Sequence, residues 1–125
     1  AQTSTAQDSE LSVEEYKTLP KDVYQSIQKE VNGVDITFFP PSTKSISFQG
    51  KNANLFLDFI QDSPPSSIQG DSQGFIMLLI SGEMVVSGNL FFGVEDQACF
   101  EFTYDGKKYY HKVSNEGYKF IKDSM

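Results

Sequence analysis

The strongest constraint in this chain is a pair of apolar runs that meet at a Ser-Gly step. From Gly74 the sequence reads Phe75-Ile76-Met77-Leu78-Leu79-Ile80, then Ser81-Gly82, then Glu83-Met84-Val85-Val86. Two such runs around a two-residue turn signal a β-hairpin. The unbroken register pairs Leu79 with Met84 and Met77 with Val86 on one face, and Leu78 with Val85 on the other. A sheet with one wet face carries polar residues at alternate positions, whereas these strands are apolar on both sides. Both faces therefore need a cover. In a chain of 125 residues the helices are expected to cover one of them, which leaves the other to a partner or a ligand.

Turn chemistry and periodicity place the remaining elements. Asp105-Gly106 is the clearest turn in the sequence. It sets Phe102 opposite Tyr109 and Phe100 opposite His111 on one face, with Glu101 opposite Tyr110 and Cys99 opposite Lys112 on the other. Residues 1–10 are polar and aperiodic and read as a disordered tail, so residues 11–125 are expected to form a single domain. Ser12 and Glu15 fit a capping box opening a short helix through Leu19. Pro20 restarts a helix whose apolar stripe is Val23, Ile27 and Val31, stopped at Gly33. Val34–Phe39 and Lys44–Gln49 alternate as strands on either side of Pro40-Pro41. Asn52–Asp62 fits a helix capped by Asn52 or a strand, with Leu55, Phe56, Leu57, Phe59 and Ile60. Gly88 reads as a bulge in the strand that follows Glu83. The fold class is α+β: a cone-like, curved antiparallel sheet with N-terminal and central helices on one face.

Composition excludes several functions. Eleven Phe and six Tyr without Trp suit an aromatic core on a sheet. A net charge of −7, with Lys107-Lys108 the only basic cluster, argues against direct binding of nucleic acid, which needs grouped cations. No apolar run reaches membrane-spanning length. Cys99 is the single cysteine, so no internal disulfide forms, which points to a reducing compartment. One His and one Cys cannot complete a zinc site. The glycines at 70, 74, 82 and 88 suit turns and bulges, not a phosphate-cradling loop. No cofactor is expected.

Three segments resemble the nuclear transport factor 2-like superfamily. Phe48-Gln49-Gly50-Lys51 is similar to an F-x-G turn that precedes a helix in that family. Ile80-Ser81-Gly82-Glu83-Met84 is similar to its apolar strand ending at a Gly. Ser114-Asn115-Glu116-Gly117-Tyr118-Lys119-Phe120 is similar to its closing N-[DE]-x-[FY]-[RK] strand. Phe91-Phe92-Gly93-Val94 also resembles the small subunit of the mRNA-export heterodimer. The resemblance spans roughly residues 44 to 122. It implies a helix at Asn52–Asp62, a C-terminal strand with a bulge near Asn115, and a nuclear export or import adaptor found in nucleus and cytoplasm. That adaptor would pair with a second copy or a larger receptor subunit and bind Phe-Gly nucleoporin repeats. The family's aromatic-x-Gln-x-Phe strand is met here only as Val94-x-Asp96-x-Ala98.

These readings nominate two groups of residues. Ile76, Leu78, Ile80, Val85 and Phe91 form an apolar centre with Cys99, Glu101 and Tyr110 around it, a mixture typical of an interface. Phe75, Met77, Leu79, Met84 and Val86 are left to the helices. Phe100, Phe102, Tyr109 and His111 are expected inside the cone. His111 as a general base for isomerase or dehydratase chemistry would need a partner acid within reach. No Asp or Glu shares its face of the hairpin, so a core histidine and a non-catalytic protein are expected. The alternative to the adaptor is a secreted or periplasmic domain, its signal segment removed, that binds a small apolar ligand.

Overall fold

A computed structural model describes residues 16–68, 70–93 and 98–124. The tail at residues 1–10, the start of the Ser12 helix, and Val94–Gln97 lie outside these ranges. The element order is α1 (Lys21–Glu30), β1 (Gly33–Phe38), β2 (Ser45–Gln49), α2 (Lys51–Leu57), β3 (Gly74–Ile80), β4 (Glu83–Phe91), β5 (Cys99–Tyr104), β6 (Lys107–Lys112) and α3 (Asn115–Ser124). The strands form one curved, unclosed antiparallel sheet in the order β2-β1-β3-β4-β5-β6. The fold is α+β.

One face of the sheet is the core. Val34, Ile36 and Phe38 of β1, Ile76 and Leu78 of β3, Val86 and Leu90 of β4, and Phe100 and Phe102 of β5 all point to it. The three helices among the described residues close it with Ile27 from α1, Ala53, Phe56 and Leu57 from α2, and Ile121 from α3. Each helix puts a narrow apolar stripe on the sheet and turns its charges to water, as 3.6-residue periodicity requires.

The Asp105-Gly106 hairpin has the register expected from its turn: Phe102 faces Tyr109, Phe100 faces His111, Glu101 faces Tyr110 and Cys99 faces Lys112. The Ser81-Gly82 hairpin does not. Leu79 pairs with Met84 as expected, but Leu78 pairs with Val86 and Met77 with Ser87, because the register shifts between Leu78 and Leu79. Val85 is the extra residue of a β-bulge, and a bulge moves every later side chain of β4 to the opposite face. Val86 therefore shares the core with Leu78, as its assignment to the helices required, while the two faces of β3 are exchanged relative to the unbroken register. Phe75, Met77, Leu79 and Met84 lie on the outer face, which no described helix covers. Gly88, expected as the bulge, sits in regular register instead. A Cβ there would run into the Glu101 carbonyl, so glycine is required by close strand approach.

Two further expectations are corrected. Tyr16–Leu19 is not helical; it runs along the outer edge of β6, where the Tyr110 N–H donates to the Lys17 carbonyl at 2.7 Å. The C-terminal segment is the helix α3, not a strand. Ser114 caps it: its Oγ accepts from the Gly117 N–H at 3.1 Å, and Glu116 lies in the first turn where the helix dipole favours an anion. Asn52–Asp62 resolves to a helix that ends at Leu57.

The bulge separates two substitutions that the unbroken register would make equivalent. Leu78→Ala, at 0% exposure, should cost about 2–5 kcal/mol. Val85→Ala, 40% exposed, should cost under about 1 kcal/mol. Urea unfolding of the two variants checks this, and equal losses would remove the bulge.

Candidate functional site

The residues nominated as one interface are divided by the bulge. Ile76 and Leu78 are fully buried in the core, and Ile80 packs against it. Ile76 and Leu78 are thus unavailable to a partner of the folded chain. Val85 lies exposed at the bulge, beside α1 residues Asp22, Val23, Ser26 and Ile27. Phe91, Cys99, Glu101 and Tyr110 are on the outer face. There Asn89 Nδ2 donates to Glu101 Oε1 at 3.1 Å, and Lys108 Nζ lies 3.8 Å from the same oxygen. Tyr16 packs edge-on against Tyr110 with ring centroids 5.1 Å apart. Burial, with the Glu101 carboxylate next to it, raises the pKa of the Tyr110 hydroxyl. Burial also pushes the Cys99 thiol up to about 12, helped by Glu101, so it is protonated and unreactive at neutral pH.

Phe100, Phe102 and Tyr109 line the inner face, and His111 is wholly buried among them. Its two ring nitrogens are both engaged by backbone. Nδ1 lies 2.7 Å from the Gln61 carbonyl, and Nε2 accepts the Leu19 N–H at 3.1 Å. That pair fixes the neutral tautomer with its proton on Nδ1. The Tyr24 ring stacks on the imidazole at 5.2 Å, and its hydroxyl donates to the Ile60 carbonyl at 2.8 Å. His111 thus ties the N-terminal segment, α1 and the segment after α2 to β6, with neither nitrogen left for proton transfer to a substrate. Among the described residues there is no cluster of His, Cys, Asp and Glu that could hold a metal ion, and no helix long and apolar enough to cross a membrane.

The surface feature with the chemistry of a binding site came from residues not nominated beforehand. Phe48 of β2, Asn52, Leu55 and Phe56 of α2, Phe59 just beyond it, and Phe120 of α3 line a groove of about 350 Å³. Gly50 makes it possible: with φ of +60° it lets β2 turn directly into α2, so the helix lies back over the strand it has just left. The rings form one connected set. Phe48 is 5.3 Å from Phe56 and 5.6 Å from Phe120, while Phe59 is 5.7 Å from Phe56 and 5.6 Å from Phe120. Phe56 is buried and forms the floor. Leu55 is 62% and Phe120 41% exposed, and they form the rims. A hollow of about 700 Å³ lies between Phe39–Lys44 and Asp71–Gln73, but its walls are loops with Pro40, Pro41, Ser42 and Lys44. Five of its eight lining residues are polar or charged (Ser42, Lys44, Asp71, Ser72 and Gln73), whereas ligand sites are lined mostly by apolar side chains.

The one sequence signal for the groove was the alternation that puts Phe48 on the inner face of β2, together with Leu55 on the wet side of a helix. Phe120 could not be paired with them from sequence, since it comes from a different helix. The chain matches no known protein family, and no curated protein or solved structure is significantly similar to it.

His111 makes stability depend on pH. Burial pushes its pKa below the usual 6.5, opposed by the Gln61 carbonyl and the Asp62 charge. The unfolded chain then takes up the proton more readily than the folded one, so stability is complete above the unfolded pKa and falls as pH drops beneath it. Unfolding free energy should be level above about pH 7 and decline below about 6.5, by at most about 1.4 kcal/mol per pH unit. In His111→Gln, urea unfolding over the same range should show a much flatter profile; an unchanged slope would assign the loss to other groups.

Proposed function

We propose that this domain is a non-catalytic binding module that takes a large apolar side chain of a protein partner into the groove between β2, α2 and α3. The observation that carries this reading is the exposure of Leu55 and Phe120 over a buried Phe floor. A folded chain loses free energy by leaving such side chains in water, about 25 cal/mol for each Å² of apolar surface. Exposed apolar patches with a concave shape are where soluble proteins meet partners. Aromatic residues concentrated at one spot also fit the pattern of binding hot spots.

The resemblance to the nuclear transport factor 2-like superfamily narrows the proposal to an adaptor for Phe-Gly repeats, acting in nucleus and cytoplasm. A phenylalanine side chain is a suitable occupant for a four-Phe groove, because offset and edge-to-face ring contacts add to burial. The support comes from the Phe48–Lys51 turn into α2 and the Ile80–Met84 hairpin; the helical α3 withdraws the third motif. Assembly with a second copy or larger subunit, also implied by the resemblance, would use the outer sheet face, where Met84 is 53% exposed beside Phe75, Met77 and Leu79.

Titration of the isotopically labelled domain with a synthetic Phe-Gly repeat peptide should move the amide signals of Asn52, Leu55, Phe59 and Phe120. Leu55→Asp, on an exposed position, should keep the fold within about 1 kcal/mol and weaken the peptide at least about tenfold, which is about 1.4 kcal/mol. Shifts confined to the outer face would move the site there, and no shifts at all would remove the Phe-Gly reading.

A further inference from the structure

The two edges of the sheet are treated differently. Along β6, the outward N–H groups of Tyr110 and Lys112 donate to the carbonyls of Lys17 and Ser63, and the Lys112 carbonyl accepts from Gln61. That edge is capped by the chain itself. β2 is the other edge. Its hydrogen-bonding phase follows from the Phe38 N–H donating to the Lys44 carbonyl and the Gly50 N–H donating to the Asn32 carbonyl. With the β1–β2 register, the backbone of Lys44, Ile46 and Phe48 faces β1. The N–H and C=O groups of Ser45, Ser47 and Gln49 point away from the sheet, with no backbone partner among the described residues.

Proteins blunt open edges with charge, proline or a bulge. Ser45–Gln49 has none of these: the side chains are Ser, Ile, Ser, Phe and Gln in regular register. Its charges lie at its ends, Lys44 before the strand and Lys51 after it. The inner-face residue Phe48 is also a wall of the aromatic groove, so edge and groove are continuous.

We propose that β2 and the groove together receive an extended peptide of a partner protein as a seventh strand, seating a large apolar side chain beside Phe48 and placing an acidic residue near Lys51. This rests on the binding role proposed for the groove. A strand bonded to Ser45, Ser47 and Gln49 places the residue facing Phe48 in a non-hydrogen-bonded pair, the type with the closer side chains. That side chain projects to the inner face, between Leu55 and Phe120. Main-chain bonds then supply affinity and the groove supplies selection, the division of labour seen wherever peptides join sheet edges.

The test is a displayed library of random peptides of about nine residues, long enough at ~3.3 Å per residue to span β2, selected on the whole chain. The best binder is then measured by calorimetry. Enriched peptides should share a large apolar residue flanked at a distance by Asp or Glu. Ser47→Pro removes an outward N–H that has no backbone partner among the described residues, a position where an edge strand accepts proline; it should weaken binding at least about tenfold. N-methylation along the peptide gives an independent reading on the unaltered protein, and binding should be lost at alternate amides only. Undiminished binding to Ser47→Pro together with loss in Leu55→Asp would overturn strand addition while leaving the groove as the site. An empty selection, or binders indifferent to both variants, would overturn both. A dimer in sedimentation that Ser47→Pro dissolves would give the edge to a second copy and overturn the peptide.

Discussion

A single unpaired residue, Val85, decides which face of this sheet is core. β3 is apolar at every position from Phe75 to Ile80, so its own sequence does not say which side to bury. β4 breaks the tie: past the bulge, Val86, Gly88 and Leu90 line up with Leu78, Ile76 and Gly74, and β5 continues the surface with Phe100 and Phe102. Without the bulge, Val86 would face outward and Ser87 and Asn89 would turn into the core with no partner for their polar groups, a cost of about 1–3 kcal/mol for each unsatisfied group. Every helix contact follows from that choice, since Ile27, Phe56 and Ile121 can pack only where a continuous apolar surface faces them.

The second organising element is the way the N-terminal segment is held. Tyr16–Leu19 has no repeating structure of its own. It is positioned by the Tyr16–Tyr110 ring contact, the Lys17 carbonyl and the Leu19 amide on His111. A buried imidazole suits that task because its neutral form offers one donor and one acceptor on opposite sides of a rigid ring. This satisfies two backbone groups at once at a place where no sheet ladder could reach both. The result closes one edge of the sheet, while the outward backbone of β2, beside the aromatic groove, has no backbone partner among the described residues.

Much of the architecture was legible in the residues. Asp105-Gly106 fixed its hairpin because few residues accept two consecutive positive φ values, and Asp105 and Gly106 do, at 53° and 76°. The Val23, Ile27 and Val31 stripe marked α1, and Pro40-Pro41 separated β1 from β2. Other features were not legible. A bulge of one residue leaves no mark when every candidate residue is apolar. The C-terminal helix resembles a closing strand motif in sequence, although Ser114 ahead of Glu116 and Gly117 carries a capping signal. The residues nominated for a partner are divided by the same bulge, with Ile76 and Leu78 on the inner face of the sheet and Phe91, Cys99, Glu101 and Tyr110 on the outer one.

The sequence by itself determined the helix α1, the strands β1 to β6, the hairpin turns, the α+β class and the absence of a catalytic partner for His111 on its own hairpin face, because these depend on local backbone preference and on alternation within a strand. Only the tertiary structure decided which sheet face is buried, where the N-terminal segment runs and that Phe48, Phe56, Phe59 and Phe120 meet. Those outcomes depend on one residue's slip in register and on close packing between elements far apart in the chain, and neither leaves a periodic trace in the sequence.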